Sequence, residues 1–377
     1  MMPVMRPALG EAEAEAAAEA VRSGWVAQGP RVAEFERAFA ARIGAQEGVA
    51  VSSCTTALHL ALIVVGVCRG DEVVVPSLSF IATANSARYI GADPVFADVD
   101  AVTGNVTAAT VEAALTPRTT AVVVVHQGGV PADVDLIRDL VEPRGIAVVE
   151  DAACAIGSTY VGEPVGAGAR VATWSFHPRK VLTTGEGGML TLDDEADAQR
   201  LRRLREHGMS VSAADRHAAG RVVLENYVEV GFNYRMTDVQ AAIGLVQLGR
   251  LNTLIDERRR LAARYQALLG ELPGVRTVAD PAYGTTNYQS FWVLLPEDFP
   301  VRRNQLLQQL ADNGISARRG IMAAHLEPAY AGLSSAPLPV TERLTRDSLI
   351  LPLFPGMTEE EQDKVVAVVR RAAVRAA

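Results

Sequence analysis

Asp151, in "VVEDAAC", and Lys180, in "SFHPRKVLTTGEGG", stand 29 residues apart, each just past a short apolar run. A lysine amine attacks carbonyl carbon once it sheds its proton, which desolvation or a neighbouring cation favours. A carboxylate favours the charged form of any cation set against it. The stretch "VSSCTTALHLALIVV" adds Ser53, Thr55 and Thr56 at the start of an apolar helical run. Hydroxyls and free backbone N–H groups at such a helix start favour a phosphate dianion. "VPSLSF" sets Phe80 past another strand end, where its face can cover a planar ring, and Ser175 precedes Lys180 by five positions. Pyridoxal 5'-phosphate (PLP) requires these parts: an amine for its aldehyde, a carboxylate for its ring nitrogen, donors for its phosphate and an aromatic cover. Each residue taken alone has a plainer use, as a cap, a core side chain or a solvated lysine, and "GEGG" alone is a turn signal. The combination across one strand-turn-strand unit is what points to a site.

Strand ends must deliver these side chains. "EVVVPSL", "PVFADVD", "AVVVVHQ", "IAVVEDA" and "VATWSFH" are short, valine-rich and bounded by turns, with helical stretches such as "TVEAALTP" and "DVDLIRDLVEPRG" between most of them. That alternation predicts an α/β fold with a mainly parallel sheet covered by helices on both faces. Ligands in such sheets bind beyond the carboxyl ends of the strands. One long amphipathic helix is expected from Thr237, its N-cap, to Leu272. A smaller α+β piece follows, with a strand near "QSFWVLLP" and helices near "RRNQLLQQLADNG" and "TEEEQDKVVAVVRRAA". The expected division is a large domain over 1–250 and a small C-terminal domain over 251–377.

The 377 residues are 49% apolar and 21% charged, with a formal net charge of −8. That balance gives no basic field for nucleic acid. No apolar run approaches the roughly 20 residues of a membrane span. "MMPVMRPALGEAEAEAAAEAV" alternates alanine with glutamate and does not read as a secretory signal. Cys54, Cys68 and Cys154 have neither metal-ligand nor disulfide-framework spacing, so a cytoplasmic protein with reduced thiols and no metal is expected.

The block "EDAACAIGSTYVGEPVGAGARVATWSFHPRKVLTTGEGGML" resembles the signature of the DegT/DnrJ/EryC1/StrS family of sugar aminotransferases. The likeness extends through "SGWVAQGPRVAEFERAFA", "VPSLSFIATANSARYIGADPVFADVD", "GFNYRMTDVQAAIGLVQL", "HLEPAY" and "LPLFPGMTEEEQ", nearly the whole chain. The resemblance implies the fold type I PLP-dependent transferase architecture. It implies that Lys180 carries the cofactor and shuttles the proton, Asp151 pairs with the pyridine nitrogen, and Phe80 stacks on the ring. Thr55, Thr56 and Ser175 would hold the phosphate, and Asn233 would reach the phosphate of a partner subunit in a homodimer with shared active sites. Cys154 stands where relatives often carry Gln or His against the ring oxygen, and a thiol donates only weakly. "VHQGGVPAD" lacks the bulky aromatic usual after His126, and "ISARRGIMAAHLEPAY" also departs from many relatives. Trp25, His325 and Tyr330 would line the acceptor site.

The implied reaction moves an amino group, with L-glutamate as the expected donor, onto a ketone of a nucleotide-linked deoxysugar. Two alternatives remain at the level of sequence. One is a PLP-dependent sugar dehydratase, although that branch carries histidine where this chain has Lys180. The other is a non-catalytic PLP-fold regulator, although no helix-turn-helix or basic arm is present.

Overall fold

The structure is a computed structural model, and it describes residues 1–212, 216, 220–333 and 336–374. The first two-thirds build β1 (Glu47–Val51), β2 (Glu72–Pro76), β3 (Asp93–Ala97), β4 (Thr119–Val125), β5 (Ala147–Asp151), the short β6 (Thr159–Tyr160) and β7 (Glu163–Pro164), then β8 (Ala172–Ser175) and β9 (Gly188–Leu192). Seven of these form one sheet in the order β1-β9-β8-β5-β4-β2-β3. Pairing is parallel from β8 across to β3, and β9 is antiparallel to both of its neighbours. Val73 and Val75 pack into one apolar cluster and Val74 into another, so both faces are covered and the valine-rich strands follow.

The direction of β9 positions the chemistry. A parallel return needs a crossover of a dozen or more residues, usually helical, whereas an antiparallel one needs only a loop. Residues 176–187 are that loop. The end of β8 and the start of β9 therefore sit at the same sheet edge as Asp151, and the loop carrying Lys180 is held there.

Helix α1 spans Glu11–Arg22, α2 Pro30–Ile43, α3 Cys54–Val64 and α4 Ala82–Ile90. In α3, Ala57, Leu58, Leu60, Ala61 and Leu62 are all buried. Each buried leucine gains about 2 kcal/mol over exposure, which pins the helix against the sheet and fixes where its N-terminus lies. Helix α2 begins after Gly29, which has no capping side chain. The carboxylate of Asp238 does that work across the fold, accepting N–H bonds from Gly29 (2.8 Å), Val32 (3.0 Å) and Arg31 (3.1 Å).

The expected single helix from Thr237 to Leu272 is two helices, Asp238–Gly249 and Leu251–Leu269. Thr237 is the N-cap, as its side chain suggests, and accepts from the Gln240 N–H at 3.2 Å. The break falls at Arg250, with φ −103° and ψ 2°, after a glycine that is a poor helix former. The Arg250 guanidinium donates to the Ala8 carbonyl (2.5 Å) and pairs with Glu13 (3.3 Å).

The remaining strands are β10 (Arg276–Thr277), β11 (Gly284–Thr285), β12 (Phe291–Leu294), β13 (Arg318–Arg319) and β14 (Ser348–Leu351). Four of them form a second, antiparallel sheet in the order β10-β12-β14-β13, while β11 joins β6 and β7. The N-terminal segment crosses to this part, with the Met2 N–H on the Gly314 carbonyl (2.7 Å) and the Leu353 N–H on the Val4 carbonyl (3.2 Å).

Candidate active site

A cavity of about 360 Å³ opens between the carboxyl edge of the large sheet and the second sheet. Ser53, Thr55, Phe80, Asp151, Cys154, Ser175 and Lys180 all line it.

The N-terminus of α3 forms one wall. Ser53 caps the helix, its hydroxyl accepting from the Thr56 N–H at 3.2 Å. Thr56 returns the favour, accepting from the Ser53 N–H at 3.2 Å and donating to the Ser53 carbonyl at 2.7 Å. Thr56 is therefore spent on the cap and does not line the cavity, whereas Thr55 and Ser175 do. Gly188 explains one of the glycines after Lys180. A Cβ there would lie 2.4 Å from the Ser53 carbonyl carbon, so β9 can cross the start of α3 only as glycine. Gly185 serves a different need, with φ +83° in the turn.

Asp151 ends β5 and is 5% exposed. One oxygen accepts from the Thr83 hydroxyl at 3.0 Å and the other from the Ala153 N–H at 3.2 Å. Thr83 is held in turn by Ser79 at 2.9 Å. Burial pushes the Asp151 carboxyl above the ordinary aspartate value, because the Ala153 N–H, Lys180 and Thr83 offset only part of the desolvation. Its neighbour Glu150 is equally buried but saturated. His126 faces it at 3.0 Å and Arg138 grips its other oxygen. His126 Nδ1 accepts from the Ala132 N–H at 3.0 Å, so Nε2 carries the proton that points at Glu150.

Lys180 donates to Cys154 Sγ at 3.0 Å. Burial disfavours its ammonium, but Cys154, Cys54 and Asp151 outweigh that, and its pKa lies above the ordinary lysine value. The Cys54 thiol is pushed well up by desolvation and by Asp151. Phe80 is 58% exposed at the cavity, an uncovered ring.

Asn233, Trp25, His325 and Tyr330 lie away from this cavity. Asn233 is exposed and bridges Glu206 through backbone. The flanking Tyr234 carbonyl accepts from the Ser52 N–H at 2.8 Å, tying "GFNYRM" to the entry of α3. Trp25 is half-buried beside Gly29. His325 Nδ1 contacts the Ser77 hydroxyl at 2.6 Å, and the buried Tyr330 hydroxyl donates to Asn85 at 2.6 Å. Both rings pack on Phe96. Sequence reasoning missed Thr83 and the cavity arginines Arg179 and Arg318. Thr83 could have been found as the residue three after Phe80, on the first turn of α4.

The donor set fits PLP. Thr55, Ser175 and the first N–H groups of α3 suit a phosphate, Asp151 suits a ring cation and Lys180 suits an aldehyde. A lysine and a buried carboxylate at the carboxyl edge of this sheet define a PLP-dependent transferase of fold type I. The chain matches the DegT/DnrJ/EryC1/StrS aminotransferase family over residues 7–370 and belongs to it. It is similar to the solved aminotransferase TlmJ of Streptoalloteichus hindustanus, at 38% identity and TM-score 0.91, over 99% of this chain and 98% of that one. DesI, solved in the presence of its TDP-sugar product, is 34% identical with TM-score 0.88, over 98% and 92%. Spr1654 of Streptococcus pneumoniae is 27% identical, with TM-score 0.92 over 99% of each chain in its PMP form and 0.90 over 99% of this chain and 100% of that one in its PLP form. The enzyme is a PLP-dependent aminotransferase.

Proposed function

We propose that this enzyme transfers an amino group from L-glutamate to the keto carbon of a nucleotide-linked deoxysugar. The observation that carries the reading is the meeting of Lys180, Asp151 and the α3 N-terminus in one cavity. When bound, PLP supplies an electron sink for the carbon that exchanges its amino group. The chain's residues do the rest. Lys180 would hold the cofactor through its amine and serve as the acid and base that moves the proton at the reacting carbon. Asp151 holds the ring nitrogen protonated, with Thr83 and the Ala153 N–H fixing its carboxylate. Thr55, Ser175 and the α3 N–H groups would hold the phosphate, Phe80 would cover the ring, and Cys154 would contact the ring oxygen. Thr56 contributes by holding the helix cap, while Trp25, His325 and Tyr330, which do not line this cavity, are given no part in holding the acceptor.

The family relation and the sugar-linked product of DesI support the acceptor class. Lys180 argues against the dehydratase alternative. The test is purified enzyme with glutamate against a panel of keto-sugar nucleotides, following 2-oxoglutarate and the amino sugar together. Transfer to one of them is expected. No transfer to any, or a dehydrated sugar instead, would overturn the reading.

The reading includes a homodimer in which Asn233 reaches the partner's phosphate. Asn233 is exposed and outside its own cavity. Just before it, Val222, Leu224, Tyr227, Val228 and Val230 are 58–89% exposed, an apolar run that a second copy would cover. Mixing inactive Lys180→Ala with impaired Asn233→Ala chains should restore part of the activity through one intact site per mixed dimer. A mixture as inactive as its parents would count against sharing. The two-domain division near residue 250 belongs to the same reading, with the 2–4 segment crossing over. The cysteines Cys54, Cys68 and Cys154 are free, which supports a reducing, cytoplasmic setting. No described helix is long and apolar enough to cross a membrane.

A further inference from the structure

The chain carries a formal net charge of −8, yet its cavity is positive. Arg179, Lys180, Arg318 and Arg319 line it against two acids, Asp151 and Glu186, an excess of two positive charges. Lys180 and Asp151 are taken by the cofactor chemistry, and Arg319 pairs with Glu327 at 3.2 Å. Among the described residues, neither Arg179 nor Arg318 has an ion-pair partner. We propose that Arg318 and Arg179 hold the anionic group of the incoming substrate, a carboxylate or a diphosphate. The proposal rests on the aminotransferase reading and names the charge its substrates must carry.

One of the two arginines comes from a strand of the second sheet and the other from a loop of the first. Arg318 is on β13, directly across from Ile350 on β14, and Ile350 is across from Trp292 on β12. Cross-strand partners project to the same face, so the three form a row, and both Ile350 and Arg318 line the cavity. Trp292 is 6% exposed, and its Nε1 is a buried donor without an acceptor. It lies against Gly128, another cavity residue. A buried N–H left unpaired is costly, and a ligand oxygen or a water it carries would relieve it.

Arg179 reaches the cavity from the loop after β8. Its backbone is tied down: the N–H donates to His177 Nδ1 at 3.2 Å and the carbonyl accepts from Gln289 at 2.8 Å. Arg179 is exposed and lines the cavity. Planar guanidinium forks suit carboxylate and phosphate oxygens, often two bonds at a time. The cofactor phosphate has its own cradle at α3, so these arginines are not needed for it. Amino donor and acceptor occupy one site in turn, and each carries an anion: a carboxylate on the donor, a diphosphate on the acceptor. One cationic pair can serve both.

The test is titration calorimetry on PLP-loaded protein, with glutarate as the donor probe and UDP, dTDP and GDP as acceptor probes. R318M and R179M should each weaken at least one class by about tenfold to a hundredfold. R318K should keep part of the affinity, and the borohydride-fixed pyridoxyl label at Lys180 should be unchanged. R343M removes one charge from the helix Pro339–Asp347, outside the cavity, and should bind as wild type. Loss for the nucleotides alone assigns the pair to the acceptor, loss for glutarate alone to the donor, and loss for both to a shared site. Wild-type affinity in R318M and R179M for every probe, an equal loss in R343M, or no probe binding to wild type would overturn the proposal. Wild type that carries the Lys180 label but transfers no amine would instead refute the aminotransferase reading.

Discussion

Glu150 and Asp151 are neighbours on β5, both almost fully buried, and the fold treats them in opposite ways. Successive strand residues face opposite sides of a sheet. On its side, Glu150 meets His126 and Arg138, and despite desolvation its pKa is lowered. On the other side, Asp151 meets a hydroxyl, an amide and the cavity, and its pKa is raised. A buried carboxylate already matched by a guanidinium and a ring N–H is a structural tie. One left short of a cation beside an open cavity is a place for a ligand's positive charge. The ring nitrogen of PLP is the cation that suits it.

The largest expected contrast is in rate. Asp151→Asn should lower amine transfer by about 10²–10³-fold, since a neutral amide no longer stabilises a charge that the reaction requires. Glu150→Gln, one residue away, should stay within about threefold in single-turnover kinetics with glutamate. Equal losses would erase the distinction between the two acids.

Stability should reverse that order. Glu150→Gln leaves Arg138 and His126 facing a neutral group and should cost about 3 kcal/mol in denaturant unfolding. Asp151→Asn removes an under-matched buried charge, so the cofactor-free protein should lose less than about 1 kcal/mol, or gain. A large loss in Asp151→Asn would mean that this carboxylate is a structural tie as well.

The smallest contrast is in the pH dependence of stability without cofactor. Between the ordinary aspartate value of 3.8 and the raised folded value, the folded chain holds more of the Asp151 proton than the unfolded chain. This carboxyl therefore costs stability as pH rises through that window. Glu150 has the opposite sign: its contribution is present above 4.5 and is lost as pH falls through its lowered folded value. Asp151→Asn should remove the first slope and Glu150→Gln the second, read as midpoint shifts in unfolding curves taken across acid pH.

These opposite fates show what a sequence can and cannot carry. That Asp151 and Ser175 end strands was legible, because valine-rich runs and their turns are local signals. So was the helix cap at Thr237, whereas the cap of α3 fell on Ser53 rather than on Thr55 or Thr56. Which of two adjacent acids faces a cation was not legible, because His126 and Arg138 reach Glu150 from other elements. Arg318 escaped for the same reason, since only the pairing of β13 with β14 brings it to the cavity. Strands β1 and β9 were not singled out either. Their pairing is long-range, and Gly188 at the start of β9 is set by the close approach of α3 rather than by strand propensity. The Thr237–Leu272 run read as one helix because its amphipathic pattern continues through Arg250, where the backbone breaks after Gly249.

The central claim is that Lys180 is the amine that carries the cofactor. Borohydride reduction of the PLP-loaded enzyme, followed by peptide mapping, tests it directly. One pyridoxyl group per chain is expected, on Lys180, and none in a Lys180→Ala variant that still folds. A label on Lys364, or on any group other than Lys180, would contradict it.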